Sequence, residues 1–125
     1  MGRWKKGKND KVQEWLGDGV VLVVARKFLL ENFPHETVSR LHHVISLVVS
    51  DMFLNEVGKA INLLPDPSYD ANFTNRKWNA RACAVEELLC QKFLLQGFDE
   101  CYRMMLPHLT LKIEDINKKL EGLGV

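Results

Sequence analysis

Cysteine and histidine are the side chains here that most often bind metals or act as nucleophiles. The candidates are Cys83, Cys90, Cys101, His35, His42, His43 and His108. Cys83 and Cys90 share a helix face, but their spacing of seven residues separates them by about 10.5 Å along the axis. Two ligands of one zinc ion cannot be that far apart. The spacing therefore predicts no metal site and no cofactor, and the thiols are expected to be buried among apolar side chains.

Neighbouring acidic residues offer a second route to catalysis. The adjacent pairs are Glu86-Glu87, Asp99-Glu100 and Glu114-Asp115. Adjacent side chains diverge on a helix, so these pairs do not form acid/base dyads and are expected on solvated faces. No glycine-rich phosphate loop or Gly-x-Ser-x-Gly motif occurs. We predict no catalytic residues, and a small enzyme with a thiol nucleophile is the least favoured alternative.

Cationic residues gather at two places that suit an anionic partner. The first group is Arg3, Lys5, Lys6 and Lys8 together with Trp4, and the second is Arg76, Lys77 and Arg81. Phosphates would bind the cations with release of counterions, and a base could stack on the tryptophan. Without the four cations of residues 1–8, the chain has 13 basic and 16 acidic residues, a net charge of −3. RNA or DNA binding is therefore the alternative function, and otherwise the arm is a solvated tail.

Apolar residues indicate a third kind of site, a surface for another protein. Near the C-terminus, apolar positions recur at spacings of four and three, which is typical of a helix that packs on one neighbour. The residues are Leu109, Ile113, Ile116, Leu120 and Leu123. This seam either closes the bundle of the chain itself or binds a second copy or another protein. Tyr69 and Phe73 lie in a proline-containing loop as contact anchors, or Phe73 packs under that loop.

Helices are the elements predicted to position all of these residues. A short helix from residue 9 or 10 to 16 is expected to end at Gly17 and Gly19, and a buried helix follows at about residues 19–32. Pro34 suits the first turn of the next helix. Residues 65–75 are predicted to form a loop, and Gly97 is predicted to end a helix. Two helices are expected after Gly97, with the boundary between them at Pro107. Two inner helical faces are expected, at Val38, Leu41, Ile45, Val48 and Met52 and at Trp78, Ala82, Val85, Leu89 and Phe93.

Composition agrees with one folded domain. The chain has 125 residues, of which 46% are hydrophobic and 26% charged, as in an ordinary globular protein. The longest apolar run, from Val20 to Ala25, is far shorter than the roughly 20 residues that a membrane helix needs. Three cysteines and a charged N-terminus predict a reducing compartment, cytoplasmic or nuclear.

These observations predict an all-α fold, a single compact bundle of six or seven helices with a short basic N-terminal tail. Residues 1–8 form a flexible basic arm and residues 9–125 a single helical domain. The predicted function is a non-enzymatic interaction module, an adaptor or regulatory subunit. It would bind a protein partner or a second copy, with no small-molecule substrate, through Tyr69, Phe73, Leu109, Ile113, Ile116 and Leu120.

Overall fold

The chain folds into α-helices, as the sequence predicts. The computed structural model describes residues 10–63 and 77–124. Within these ranges there are six α-helices, one short 3-10 helix at Ile45–Leu47, and no strand. The α-helices are α1 (Asp10–Asn32), α2 (Val38–Val44), α3 (Asp51–Ala60), α4 (Lys77–Gln96), α5 (Phe98–Thr110) and α6 (Ile113–Gly122). The predicted arm at residues 1–8 and the predicted loop at residues 65–75 lie outside the described residues.

Helix α1 is continuous across both of its glycines, so the predicted break at Gly17 and Gly19 is wrong. Each glycine costs about 1 kcal/mol in a helix interior relative to alanine. Tertiary packing outweighs that cost, because one face of α1 is buried along most of its length. The buried side chains of this face include Gln13, Val20, Val21, Val24, Ala25, Phe28 and Leu29.

Helix α4 lies at the centre of the fold and packs against α1, α3 and α5. Ala82, Val85 and Leu89 of its predicted inner stripe are buried, while Phe93 lies at the edge of the core. Around this stripe, the largest fully buried side chains come from every neighbouring helix. They include Phe28, Leu54, Met105, Leu109 and Ile116.

The predicted apolar face at residues 38–52 does not lie on one helix, because α2 ends at Val44 and α3 begins at Asp51. The side-chain oxygen of Thr37 accepts a hydrogen bond from the Arg40 backbone N–H at 3.2 Å and caps α2. The hydroxyl of Ser50 does the same for α3 with the Phe53 N–H at 3.2 Å. Pro34 lies in the turn before α2 and does not begin a helix. As a result, both ends of the predicted face, Val38 and Met52, are exposed.

The second half of the chain turns at Gly97, as predicted, with φ at 92°, in the left-handed region that favours glycine. Helix α5, however, continues through Pro107 to Thr110, so the predicted helix boundary at this proline is wrong. A proline removes one backbone donor, and the buried Met105 and Leu109 hold the helix together on either side.

Arg40 of α2 forms hydrogen bonds with the C-terminal end of α6. The Arg40 guanidinium donates from Nη2 to the Leu120 carbonyl oxygen at 2.9 Å and from Nη1 to the Gly124 carbonyl oxygen. Its Nε pairs with Glu36 at 2.6 Å. The Leu120 carbonyl oxygen also accepts from the Leu123 backbone N–H at 3.2 Å, so Arg40 adds a second bond at the C-terminal end of α6.

Candidate functional site

Helices α1 and α4 cross at Gly17 with almost no space between their backbones. A Cβ atom at this position would lie 1.9 Å from the carbonyl oxygen of Glu86. Only glycine permits this approach, because any other side chain would collide with the backbone of α4. The crossing therefore brings the residue after Gly17, Asp18, against the side chain of Glu86.

The carboxyl groups of Glu86 and Asp18 form a hydrogen-bonded pair at this crossing. Glu86 is only 8% exposed, whereas Asp18 is open to solvent. Burial, the hydrogen bond to Asp18 and the charges of Asp18, Asp51 and Glu14 together raise the pKa of Glu86 to about 9, and burial is the largest of these causes. At neutral pH, Glu86 is therefore protonated and donates its proton to the Asp18 carboxylate.

Four carboxyl groups from three helices thus converge on one place, which we call the acidic cluster: Glu14 and Asp18 of α1, Asp51 of α3 and Glu86 of α4. Asp51 occupies the first turn of α3, where the helix dipole stabilises a negative charge. Like charges so close together destabilise the fold, and such clusters are typical of functional sites.

The expectation that Glu86-Glu87 lies on a solvated face is wrong. Both side chains are buried, with Glu87 6% exposed, because α4 is packed on several sides. The two acids do diverge, as predicted, but Glu86 pairs with an acid from another helix. One local signal could have found this site, since Glu14 and Asp18 share a helix face four residues apart with a glycine between them.

Oxygen ligands of this kind suit a hard divalent cation. Asp18 and Glu86 are the pair that could hold one directly, with Glu14 and Asp51 close by. Within residues 10–63 and 77–124, no three Asp, Glu, His or Cys side chains are already arranged around one metal position. Mg²⁺ binds through one or two carboxylates and retains several water ligands, so a carboxylate pair is the kind of donor set it uses.

The seam predicted to bind a partner is largely part of the core. Leu109, Ile116 and Leu120 are buried, and Ile113 packs against them. Leu109 also belongs to α5 while the other three belong to α6, because the chain turns at Leu111 and Lys112. Of the two interpretations of the seam, closure of the chain's own bundle is the one that matches this burial. Tyr69 and Phe73 lie outside the described residues.

Of the predicted nucleic-acid group, Arg81 is the residue whose side chain the structure describes. It is half-buried and donates to the Asn55 side chain at 3.1 Å and to the Leu63 carbonyl oxygen at 3.3 Å. Its guanidinium is therefore bonded within the protein. Lys77 is the first residue of α4. The remaining residues, Arg3, Trp4, Lys5, Lys6, Lys8 and Arg76, lie outside the described part of the chain.

The three cysteines, Cys83, Cys90 and Cys101, form no disulfide. Burial raises the pKa of the Cys90 thiol, with Glu87 adding to the effect, and burial also raises the pKa of the Cys101 thiol in spite of the opposing charge of Lys92. Neither thiol is suited to be a nucleophile, because the thiolate is the reactive form. Along the described ranges, no helix is long and apolar enough to cross a membrane.

Comparison with known proteins points to nucleases. No protein-family model matches the chain. Ribonuclease 3 from Clostridium beijerinckii is 26% identical over 124 residues, which cover 96% of this chain and 52% of that protein. Ribonuclease 3 from Syntrophotalea carbinolica is 32% identical over 104 residues, covering 77% and 45%. The chain thus spans about half the length of the curated relatives it matches.

A solved structure shares the fold. The nuclease domain of Ribonuclease III from Campylobacter jejuni superposes with a TM-score of 0.72 at 20% identity, covering 91% of this chain and 82% of that one. Together these likenesses contradict the predicted non-enzymatic adaptor, since both relatives carry the name of an RNA-cleaving enzyme. The predicted alternative, a protein that binds nucleic acid, agrees with them better.

Proposed function

We propose that this chain is an RNA-cleaving domain that hydrolyses phosphodiester bonds at the acidic cluster. The observation that carries the proposal is the buried carboxyl pair of Glu86 and Asp18, which Glu14 and Asp51 face from two other helices. Such a concentration of acids lowers stability and has no structural role that apolar residues could not fill. The names of the two relatives supply the substrate class, RNA.

The negative charges of the acidic cluster and of RNA call for a divalent cation between them. RNA is a polyanion, and the ionised members of the acidic cluster would repel its phosphates. A cation held by Asp18 and Glu86 would reverse that repulsion, with Glu14 and Asp51 contributing charge nearby. When bound, such a cation stabilises negative charge on a phosphate and makes a bound water more acidic. The chain's own contribution is to hold the carboxylates together through the close approach at Gly17.

Protons compete with the cation for the same oxygen atoms. Because the pKa of Glu86 is raised to about 9, the Asp18–Glu86 pair holds a proton at neutral pH. Cation binding must release this proton, so cation affinity should increase as the pH rises toward 9. RNA cleavage at a fixed cation concentration should increase over the same range.

The cationic residues outside the described ranges remain candidates for contacts with the RNA backbone. Arg3, Lys5, Lys6, Lys8 and Arg76 would neutralise phosphates, Lys77 at the start of α4 would join them, and Trp4 would stack on a base. Affinity for RNA should then fall steeply with increasing salt. Arg81 is not included, because its guanidinium is bonded to Asn55 and Leu63.

The outer face of α1 supports a second proposal, that two copies of the chain form a dimer. Along this face the apolar side chains of Val12, Trp15, Val23 and Leu30 are exposed, with Trp15 at 76%. Gly19 lies among them, and a Cβ at that position would meet nothing within 4 Å. An unexplained glycine in an exposed helix face favours close approach of another helix, so we place the crossing with the second copy at Gly19.

Two further observations support this pairing. A mostly apolar groove of about 310 Å³ opens beside the outer face of α1. It is lined by Arg26, Leu29, Val38, Leu41, His42 and Ile45. In the Campylobacter jejuni nuclease domain, a region involved in dimer formation shows structural flexibility. Large exposed apolar patches of this kind are typical of protein interfaces.

The activity is tested with labelled single- and double-stranded RNA, and the same strands as DNA, in the presence of Mg²⁺ or Mn²⁺. We expect the wild-type chain to cleave RNA and the Glu86→Gln variant to lose about 100-fold or more of that rate. Glu114→Gln is the matched control, because Glu114 is exposed on α6 and forms only a surface ion pair with Lys118 at 3.7 Å. Cleavage that survives in Glu86→Gln, or is absent from the wild type on every substrate, would overturn the proposal.

A further inference from the structure

Arg81 joins α3 to α4 through the interior of the protein. From α4, its Nη1 donates to the Oδ1 atom of Asn55, at 3.1 Å, and Asn55 is itself buried on α3. Its Nε donates to the carbonyl oxygen of Leu63, just beyond the end of α3, at 3.3 Å. A single guanidinium group thus holds both the middle and the C-terminal end of α3.

The stem of Arg81 fixes how closely the two helices approach. It lies over Gly58, where a Cβ would be 2.5 Å from Arg81 Cγ and 3.2 Å from Val85 Cγ2. The packing position of α3 on α4 therefore depends on one glycine and on the aliphatic part of this arginine. Val85 immediately precedes Glu86, so this contact is one residue away from the acidic cluster.

The same two helices supply half of the acidic cluster. Asp51 lies four residues before Asn55 on α3, about 6 Å along the helix axis, and Glu86 lies five residues after Arg81 on α4. We infer that Arg81 is a positioning residue that acts through Asn55 and Leu63 to hold Asp51 beside Glu86. This role rests on the proposed function of the cluster, and it makes α3 a fixed part of the active site.

The contact between α3 and α4 gives this role a distinct signature. The Gly58 backbone of α3 lies against Arg81 and Val85 of α4. If α3 moves away, this contact opens and Asp51 moves away from Glu86 with it. Simple loss of the positive charge of Arg81 would leave the contact unchanged. Opening of the contact therefore separates positioning from charge.

Arg81→Met and Arg40→Met form a matched pair for the test. Each removes a half-buried guanidinium that holds two helices together and keeps an unbranched side chain in its place. Arg40 joins α2 to α6 and does not contribute to the acidic cluster. Both variants should lose stability in urea denaturation. Arg81→Lys keeps the charge but cannot reproduce both planar bonds, so it should resemble Arg81→Met.

The readouts are the nuclear Overhauser effect between Gly58 and Val85 by NMR and the Kd of Mn²⁺, both measured on the folded chain. For Arg81→Met we expect the Gly58–Val85 cross-peak to weaken and the Kd of Mn²⁺ to rise about tenfold. Arg40→Met should change neither. An unchanged cross-peak in Arg81→Met, or an equal loss in Arg40→Met, would overturn the positioning role.

This outcome is independent of whether the chain cleaves RNA. If the wild type neither binds Mn²⁺ nor cleaves RNA, the proposed function fails, yet the Gly58–Val85 contact still decides whether Arg81 positions α3. If the wild type cleaves RNA and this contact is unchanged in Arg81→Met, the function stands and the positioning role fails.

Discussion

The two faces of α1 both depart from the usual distribution of side chains, in opposite ways. Its inner side places Asp18 and Glu14 against the buried Glu86, where acids are rarely found. Its outer side leaves Val12, Trp15, Val23 and Leu30 in water. A monomer without ligands gains nothing from either arrangement. We propose that each arrangement serves binding, of a cation and RNA by the acidic cluster and of a second copy by the outer side.

The glycines of α1 divide in the same way. Gly17 is required by the interior, because the Glu86 carbonyl oxygen occupies the space of its missing Cβ, while the space around Gly19 is empty. The structural reason for glycine therefore differs between the two positions, although the residues look alike in the sequence. Substituting each of them tests the comparison most directly.

The largest effect is expected from Gly17→Ala. The added methyl group must push α1 from α4, and we expect the free energy of unfolding to fall by about 3 kcal/mol or more. Gly19→Ala should instead raise the free energy of unfolding of the monomer by about 0.5–1 kcal/mol, because alanine is the better helix former and meets no obstacle. Urea denaturation at low protein concentration measures both. Equal effects at the two positions would refute the distinction between the faces.

The next effect concerns the pH dependence of stability and isolates the inner face. The pKa of Glu86 is raised to about 9, so the folded state holds a proton that the unfolded chain releases near pH 4.5. Stability from this group is fully present below pH 4.5 and is lost as the pH rises toward 9. Glu86→Gln removes this loss of stability. At pH 9 we expect its free energy of unfolding to exceed that of the wild type by about 1–3 kcal/mol, allowing for solvent screening.

Denaturation curves at pH 5, 7 and 9 measure this difference. Glu114→Gln again serves as the control, since its exposed carboxylate should leave the pH dependence unchanged. If the wild type and Glu86→Gln showed parallel pH profiles, Glu86 would not hold a proton in the folded state. The acidic cluster would then lack the electrostatic repulsion among carboxyl groups from which we infer a bound cation.

Much of the fold follows from local patterns in the sequence. The stripe of Ala82, Val85 and Leu89 is visible in the sequence as helical spacing, and a glycine at position 97 predicts the turn where the structure has a positive φ. The apolar seam near the C-terminus correctly indicates packing, although the structure shows that most of it faces the chain's own core. Boundaries are less predictable, because buried residues on either side of Gly17 and of Pro107 outweigh the local cost of those residues.

The site depends on information that is not local. Glu86 and Asp18 are 68 positions apart in the sequence, and only the crossing of α1 with α4 brings them together. An acid on a helix is more often solvated, so the sequence alone favours the wrong environment for Glu86. Arg81 shows the same limitation, since its neighbours in sequence suggest a phosphate contact while its partners Asn55 and Leu63 come from α3 and the segment after it.

On the outer face, the expected effect is a change in self-association. Trp15→Ala should weaken pairing of two copies by about tenfold or more, because exposed aromatic residues are frequent interface anchors. The stability of the monomer should not change, since Trp15 is 76% exposed. Sedimentation over a range of concentrations measures the association. Leu111→Ala is the matched control, as Leu111 is equally exposed but lies between α5 and α6. A wild-type chain that is monomeric throughout would remove the outer-face proposal and leave the inner face untouched.

The smallest effect is expected at the far end of the same face, from Leu30→Ala. Leu30 lies eleven residues from Gly19, about 16.5 Å along the axis, whereas Trp15 is only about 6 Å away. Packed helices cross at an angle and diverge from their closest point, so a crossing at Gly19 leaves Leu30 outside the contact. Sedimentation should therefore show less than a roughly twofold change in association for this variant. If Leu30→Ala weakens association as much as Trp15→Ala does, the two copies do not cross at Gly19, and the open space around that glycine needs another explanation.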